Sequence, residues 1–127
     1  MMDITPKIEE GTKLITGYNE DKIFINKESH NSKIILSNNE IYSHSVENIS
    51  DLTVNDMKKI TDDIIEGNYQ DEAIILIGYK QEGSISKELK NELYKMNLGF
   101  DVMSNHAAYR TYNVLVSESR RIYAILF

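Results

Sequence analysis

The sequence predicts an α/β domain with a parallel or mixed central sheet and a strand-rich N-terminal half. Short segments rich in Ile, Phe, Tyr and Val fill residues 13–46, and helical periods alternate with apolar runs from residue 53 onward. The 127 residues are 41% hydrophobic, which is enough for one domain with its own core. We therefore treat residues 1–127 as a single domain, with residues 1–11 extended or poorly ordered.

The first half predicts a meander of four short strands. Residues 13–18 and 22–26 flank a polar Asn-Glu-Asp turn, and residues 32–37 and 40–46 flank Asn38–Asn39. Asn suits a tight turn because it tolerates left-handed backbone conformations.

The second half begins with a predicted helix over residues 54–66. Thr53 and Asp56 have the spacing of a capping box, in which two side chains bond each other's backbone N–H. Gly67 is expected to end the helix. The apolar residues that recur at helical spacing are Val54, Met57, Ile60 and Ile64.

Two further helices alternate with strands over residues 73–78, 100–104 and 121–127. Ser86 is expected to cap the second helix and Gly99 to follow its C-terminus, and Asn105 is expected to cap the third. This alternation is what predicts the parallel or mixed sheet. The inner stripes are Leu89, Leu93 and Met96 on the second helix and Ala108, Tyr112 and Leu115 on the third.

Composition excludes several function classes. The chain has no cysteine, so disulfides, thiolate metal sites and cysteine nucleophiles are ruled out, and a reducing, cytoplasmic location is favoured. No secretory signal is visible and no apolar run reaches the roughly 20 residues of a membrane-spanning helix, which leaves only peripheral membrane association. The net charge of -6 disfavours nucleic acid as a main partner.

No constellation for catalysis, metal binding or a cofactor is visible. The three histidines, His30, His44 and His106, lack partners at metal-ligand spacing, and His44 is expected to be a half-buried structural residue. Ser104 and His106 are two positions apart, so a helix would not aim their side chains at each other. The sequence leaves enzymatic activity undecided and favours none.

A candidate pocket lies where two predicted strands end. Ligands of open α/β sheets bind beyond the carboxyl ends of the strands, so the loops 78–81 and 104–106 would surround one crevice if their strands are neighbours. A helix N-terminus there would favour an anion. Alternatively, Asn105 only caps its helix and Lys80 is solvated. The candidate residues are Tyr79, Lys80, Ser104, Asn105 and His106, with Arg110 nearby.

All three arginines, Arg110, Arg120 and Arg121, lie in the last 18 residues. Arg presents a planar fork of donors that Lys lacks. One interpretation is structural, with Arg120 or Arg121 binding a carboxylate or the C-terminus of a helix. The other is a recognition patch of Arg, Tyr and Asn on one helix face.

The segment from Met103 to Arg121 resembles the signature of a small α/β family that includes the mitochondrial respiratory complex I assembly factor 3 and many short bacterial and archaeal proteins. The family pattern is close to M-x-T-x-A-A-C-R-T-Y-N-x-L-x-x-E-G-R-R. Ser104, Tyr109 and Ser119 stand where the pattern has Thr, Cys and Gly. The similarity extends over nearly the whole chain, although Tyr79-Lys80 replaces the frequent Thr-Gly after Gly78.

This resemblance implies a three-layer fold, in which helices pack on a central mixed sheet and the N-terminal half adds a β-layer. It also implies a non-enzymatic protein-interaction module, acting as an assembly factor for a respiratory membrane complex and binding its subunits. The oligomeric state stays open, and no catalytic residue comes with the resemblance. The candidate interaction residues are Tyr109, Arg110, Thr111, Tyr112, Asn113, Glu118 and Arg120.

Overall fold

The computed structural model describes residues 11–63, 73–80, 83–96 and 99–127. Its helices are α1 (Val54–Asp63), α2 (Lys87–Lys95) and α3 (Asn105–Ser117), with a 3-10 turn at Ile49–Asp51. Its strands are β1 (Ile15–Tyr18), β2 (Lys22–Ile25), β3 (Glu28–Asn31), β4 (Ile34–Ser37), β5 (Ile41–Ser43), β6 (Ile74–Tyr79), β7 (Gly99–Ser104) and β8 (Ile122–Leu126).

The central sheet is mixed, as the alternation of elements predicts. Its five strands have the order β5-β4-β8-β6-β7. Strand β6 is parallel to both β7 and β8, while β4 is antiparallel to β5 and β8. Because β8 lies in the middle, all five of its residues are buried.

The two faces of this sheet build two separate cores, because successive side chains of a strand point to opposite faces. On β6, Ile75 and Ile77 join the core under α1 and α2, whereas Leu76 joins the core under α3. The second core also contains Ile23 and Ile25 of β2. The expected three-layer fold is therefore confirmed, with α1 and α2 on one face of the sheet and α3 with a small β-layer on the other.

The N-terminal half differs from the predicted meander of four strands. The N-terminal half holds five strands in two sheets: β1-β2-β3 form a separate antiparallel sheet, and the β4–β5 hairpin extends the central sheet. Strand β3 was missed because its sequence, ESHN, is polar. Asn26 and Lys27 both have positive φ, at 49° and 71°, which suits the tight hairpin turn that leads into β3.

The expected helix caps are confirmed at α1 and α2. The backbone N–H of Thr53 donates to Asp56 Oδ2 at 2.9 Å and that of Asp56 donates to Thr53 Oγ1 at 3.1 Å, which is the reciprocal capping box. Ser86 Oγ accepts from the N–H of Leu89 at 3.1 Å. The prediction that Gly99 directly follows the C-terminus of α2 is wrong, because the C-cap is Met96 and Gly99 is the first residue of β7.

Four predictions fall on positions outside the described residues. They are Ile64 and Gly67 at the end of the first helix, Gln81 in the crevice loop, and the first ten residues of the extended segment predicted at residues 1–11.

Candidate functional site

A crevice of about 340 Å³ opens at the carboxyl ends of β6 and β7. The two strands are parallel neighbours in a register that pairs Tyr79 with Ser104, so their end loops lie side by side. This register brings all five predicted pocket residues into one lining, whereas Arg110 is not part of it. The five are Tyr79, Lys80, Ser104, Asn105 and His106.

The rest of the lining comes from residues that sequence reasoning did not assign to the site. The turn between β1 and β2 contributes Asn19, Glu20 and Asp21, and Ser32 and Tyr109 complete the lining. Asn19 Oδ1 closes this turn by accepting from the N–H groups of Asp21 and Lys22, at 3.0 and 2.9 Å. The Asn-Glu-Asp turn is visible in the sequence, but only the packing of the small sheet against α3 carries it to the crevice.

Helix α3 begins at the crevice, with a cap one residue earlier than predicted. Ser104 is the N-cap, and its Oγ accepts from the N–H of Ala107 at 3.4 Å. Asn105, expected to be the cap, is the first helical residue instead. The first turn of a helix carries backbone N–H groups without partners inside the helix, and these favour an anionic group.

Asn105 is buried, with 6% of its surface exposed, although its side chain is polar. Its Oδ1 has no hydrogen-bond partner among the described residues. The side chain fits because Gly78 lies against it: a Cβ at position 78 would stand 2.6 Å from that oxygen. Because this contact closes the oxygen off from solvent, a molecule in the crevice would reach it only after the side chain rotated.

Aromatic rings hold the first half of α3 against β1. The ring of Tyr18 lies 4.3 Å from that of His106 and 5.1 Å from that of Tyr109, between centroids. Burial raises the pKa of the Tyr109 hydroxyl above its ordinary value, with the Tyr18 hydroxyl adding to the rise. Tyr109 is therefore a neutral group at physiological pH.

Charges of both signs line the crevice. Lys80 lies on the β6 side, and Glu20 and Asp21 lie on the turn of the small sheet; all three are exposed. In the described part of the chain none of the three forms an ion pair, whereas the nearby Lys33 pairs with Glu47 at 3.5 Å.

The arginine-rich motif begins with residues that anchor α3 to the two sheets. Tyr112 is fully buried, and its hydroxyl lies 2.7 Å from the carbonyl of Lys13 and 2.9 Å from that of Ser37. Burial raises the pKa of this hydroxyl, which keeps it protonated as a donor. Asn113 bonds the backbone of Ile15 twice, accepting from its N–H at 3.0 Å and donating to its carbonyl at 2.8 Å.

The motif continues through the end of α3. The N–H of Ser119 donates to the carbonyl of Val116 and that of Arg120 to the carbonyl of Leu115, at 3.0 and 2.9 Å, which is a Schellman motif. Ser119 has a φ of +60°, a conformation that favours glycine. Glu118 is the exposed C-cap.

The three arginines have different surroundings. Arg110 is exposed on the outer face of α3, one turn from Val114, which is 54% exposed. The backbone carbonyl of Arg120 accepts from Asn38 Nδ2 at 2.7 Å. Arg121 donates to the hydroxyl of Tyr123 at 2.9 Å, and its guanidinium lies 5.5 Å from the centre of that ring.

His44 is half-buried, as expected for a structural residue. Its Nε2 lies 2.7 Å from the carbonyl of Leu126, and its Nδ1 accepts from the N–H of Val46 at 3.3 Å. These bonds fit the neutral ring with the proton on Nε2, and desolvation by burial lowers the pKa of His44. Among the described residues, no three His, Asp or Glu side chains are grouped to hold a metal ion.

Residues 15–127 match a family described as a protein of unknown function, DUF498/DUF598. No functionally curated protein matches the chain significantly. The chain is similar in structure to an outer membrane protein from Bartonella henselae, with 27% identity, a TM-score of 0.74, and coverage of 92% of this chain and 95% of that one.

Two Bordetella proteins share the fold. One, from Bordetella parapertussis, is 23% identical with a TM-score of 0.77, covering 92% of this chain and 96% of that one. The other, from Bordetella pertussis and described as an Mth938-like domain, is 19% identical with a TM-score of 0.76, covering 99% of this chain and 92% of that one. No helix in the described part of this chain is long and apolar enough to cross a membrane.

Proposed function

The chain belongs to the DUF498/DUF598 family of proteins of unknown function, and we propose that it binds a small molecule or anion in the crevice beyond β6 and β7. The observation that carries this proposal is that the first turn of α3, whose N–H groups favour an anion, and the exposed Lys80 line the same crevice.

The shape of the crevice also supports ligand binding. Its volume of about 340 Å³ suits a small metabolite, and its lining combines the rings of Tyr79, His106 and Tyr109 with polar side chains that can orient a ligand. Among its described residues the lining offers no nucleophile paired with a base, so binding is proposed here and no reaction. A cytoplasmic location is part of this proposal.

A thermal-shift screen of the full chain tests the proposal. A panel of small anionic and zwitterionic metabolites, with inorganic phosphate included, should contain compounds that raise the melting temperature, because a ligand that binds only the folded state stabilises it. Amide chemical-shift changes should then map to Tyr79–Lys80 and Ser104–Ala107. Hits that map elsewhere, or a panel without hits, would contradict the proposal.

The second candidate function is a protein-interaction module, acting as an assembly factor for a respiratory membrane complex. It is supported by the resemblance to the complex I assembly factor 3 family and by the outer face of α3, where Arg110 and the 54% exposed Val114 are available to a partner. Tyr109 and Tyr112 are too buried to form the contact surface, so the patch that remains is smaller than the sequence suggests.

Affinity purification from native cells in mild detergent separates the two candidates. The interaction module predicts that respiratory-complex subunits co-purify with the tagged chain and are lost from an Arg110→Ala/Val114→Ala variant, but are kept by the control Lys90→Ala on α2. If the double variant folds and retains those subunits, this face is not the interface. If they never co-purify, the assembly role is wrong.

A further inference from the structure

A second cavity, of about 440 Å³, lies at the end of the central sheet where β8 begins. Its lining comes from residues 37–40, at the turn between β4 and β5, and from residues 119–121, which connect α3 to β8. Because β8 and β6 are parallel, this is the opposite end of the sheet from the crevice beyond β6 and β7. The cavity is therefore separate from the site of the proposed function.

The lining of this cavity is polar and carries more positive than negative charge. Every described residue that lines it has a polar side chain. Two of them, Ser37 and Tyr123, are buried, with 6% and 7% of their surface exposed. Arg120 and Arg121 bring two positive charges and Glu40 brings one negative charge. In a chain whose net charge is -6, a lining with this excess of positive charge favours an anionic ligand.

The guanidinium of the half-buried Arg121 is held in position by a buried side chain. Its Nε and Nη2 donate to the hydroxyl of Tyr123 at 3.2 and 2.9 Å, and it lies 5.5 Å from the centre of that ring. A guanidinium has five N–H donors, so one that bonds a hydroxyl can bond an oxyanion as well. Because it is already oriented, it loses less conformational entropy on binding than a freely moving side chain does.

Hydrogen bonds also fix the backbone of Arg120 against the turn between β4 and β5. Asn38 Nδ2 donates to the carbonyl of Arg120 at 2.7 Å, and Asn38 Oδ1 accepts from the N–H of Ile122 at 2.9 Å. The turn itself is closed by Ser37 Oγ, which accepts from the N–H of Glu40 at 3.0 Å. The backbone of Arg120 is thus part of the fold, while its side chain is exposed and lines the cavity.

We propose that this cavity binds a small molecule through a phosphate or carboxylate group, with Arg120 and Arg121 as the cationic partners of that group. Phosphate and carboxylate share the geometry that matches the planar fork of Arg, which Lys lacks. The inference gives a function to the two arginines at the end of the motif. It goes beyond the proposed function, because it assigns a second site with its own residues.

The test is an amide NMR titration of the full chain with inorganic phosphate and with acetate, each compared with sodium chloride at the same ionic strength. At least one of the two oxyanions should shift the amides of residues 37–40 and 119–121, and chloride should not. Tighter binding of phosphate assigns a phosphate-bearing ligand to the cavity, and tighter binding of acetate assigns a carboxylate.

Arg-to-Lys variants test the role of the fork, since they keep the charge. Arg120→Lys/Arg121→Lys should weaken the tighter of the two probes at least about tenfold, which corresponds to about 1.4 kcal/mol. Arg120→Lys alone should also weaken it, and its exposed side chain makes a folding defect unexpected. The matched control is Arg110→Lys on the outer face of α3, outside the described lining, which should leave binding unchanged.

Three results would overturn this inference. They are the absence of shifts at residues 37–40 and 119–121 with both oxyanions, equal shifts with chloride, and equal effects of Arg120→Lys and Arg110→Lys. The amides of Ser104–Ala107 report separately on the crevice in the same spectra. Shifts confined to the crevice would therefore refute the second site and leave the proposed function standing, whereas shifts confined to residues 37–40 and 119–121 would support the second site alone.

Discussion

At the C-terminus of α3, the N–H groups of Ser119 and Arg120 bond carbonyls of the last helical turn. At its N-terminus, Asn105 has a buried oxygen without a partner in the described part of the chain. Near its C-terminal half, Tyr112 and Asn113 bond the backbone of residues far away in sequence. At its N-terminus, Lys80 faces an open crevice without an ion pair among the described residues.

This difference separates the residues of the motif that stabilise the fold from the residues that border the crevice. A polar residue whose hydrogen bonds are all made within the fold has a structural role. Polar residues that are buried without partners lower stability and are tolerated at functional positions. By this criterion the Tyr112–Arg120 part of the motif holds the fold together, whereas the Ser104–His106 part borders the crevice in which we propose that a ligand binds.

The largest expected effect tests whether the N-terminal end of α3 packs closely on β6. A Cβ at position 78 would meet Asn105 Oδ1, Leu126 Cδ2 and Ala108 Cβ at 2.6, 3.0 and 3.1 Å. We expect Gly78→Val to lower the free energy of unfolding by about 3 kcal/mol, at the upper end of the cost of overpacking, in urea denaturation.

Gly17→Val is the matched control, since a Cβ at Gly17 meets only Phe24 Cδ2, at an ordinary 3.8 Å. It should change stability by less than about 0.5 kcal/mol. Equal effects of the two substitutions would mean that α3 does not pack closely on β6. That result would contradict the packing described at the N-terminal end of α3.

The next effect tests the structural end. Tyr112→Phe leaves the Lys13 and Ser37 carbonyls without the hydroxyl, and should cost about 2 kcal/mol of unfolding free energy. Tyr94→Phe, at a site 70% exposed, should cost almost nothing. A Tyr112→Phe variant as stable as Tyr94→Phe would show that Tyr112 does not anchor the helix.

A smaller gain is expected from the strained C-terminus of α3. The φ of Ser119, +60°, is strained for a residue with a side chain, so Ser119→Gly should raise the free energy of unfolding by about 1 kcal/mol. Ser117→Gly, at the last residue of the helix, relieves no positive φ and should lower it by about 0.5 kcal/mol. Matching signs for the two glycine variants in thermal unfolding would contradict the Schellman geometry.

The smallest effect is a pH dependence near the crevice end of β8, where His44 bonds the carbonyl of Leu126. Because the folded state lowers the pKa of His44, the unfolded state binds a proton first as the pH falls below about 6.5. Stability should therefore decrease from pH 7 toward pH 5 and level off below the folded pKa. His44→Gln should remove this part of the decrease in urea midpoints measured across that range; an unchanged slope would assign it to other groups.

The sequence predicted most of the fold but not the full site. Apolar alternation identified β6 and β8, and cap chemistry identified Thr53 and Ser86, because these signals are local. Polar β3 carried no such signal, and its pairing with β2 came only from tertiary structure. The cap of α3 was misplaced from Ser104 to Asn105 because both residue types favour that position.

Local signals in the sequence also predicted only part of the candidate site. Tyr79, Lys80 and Ser104–His106 were expected together because adjacent parallel strands end at one edge of a sheet. Glu20 and Asp21 were not, since only the packing of a separate sheet on α3 brings their turn to the crevice. The unbonded state of Asn105 follows from its contact with Gly78, which no local pattern encodes.

One pair of substitutions tests the contrast between the two ends of α3 most directly. Asn113→Ala removes two bonds to the Ile15 backbone and should lower the free energy of unfolding by about 2 kcal/mol, whereas Asn105→Ala removes a buried oxygen with no described partner and should leave stability unchanged or raise it. The measurement is urea denaturation of both variants beside the parent chain, without ligand. If Asn105→Ala is as destabilising as Asn113→Ala, Asn105 is a structural residue and the division of the helix into a structural end and a binding end is wrong.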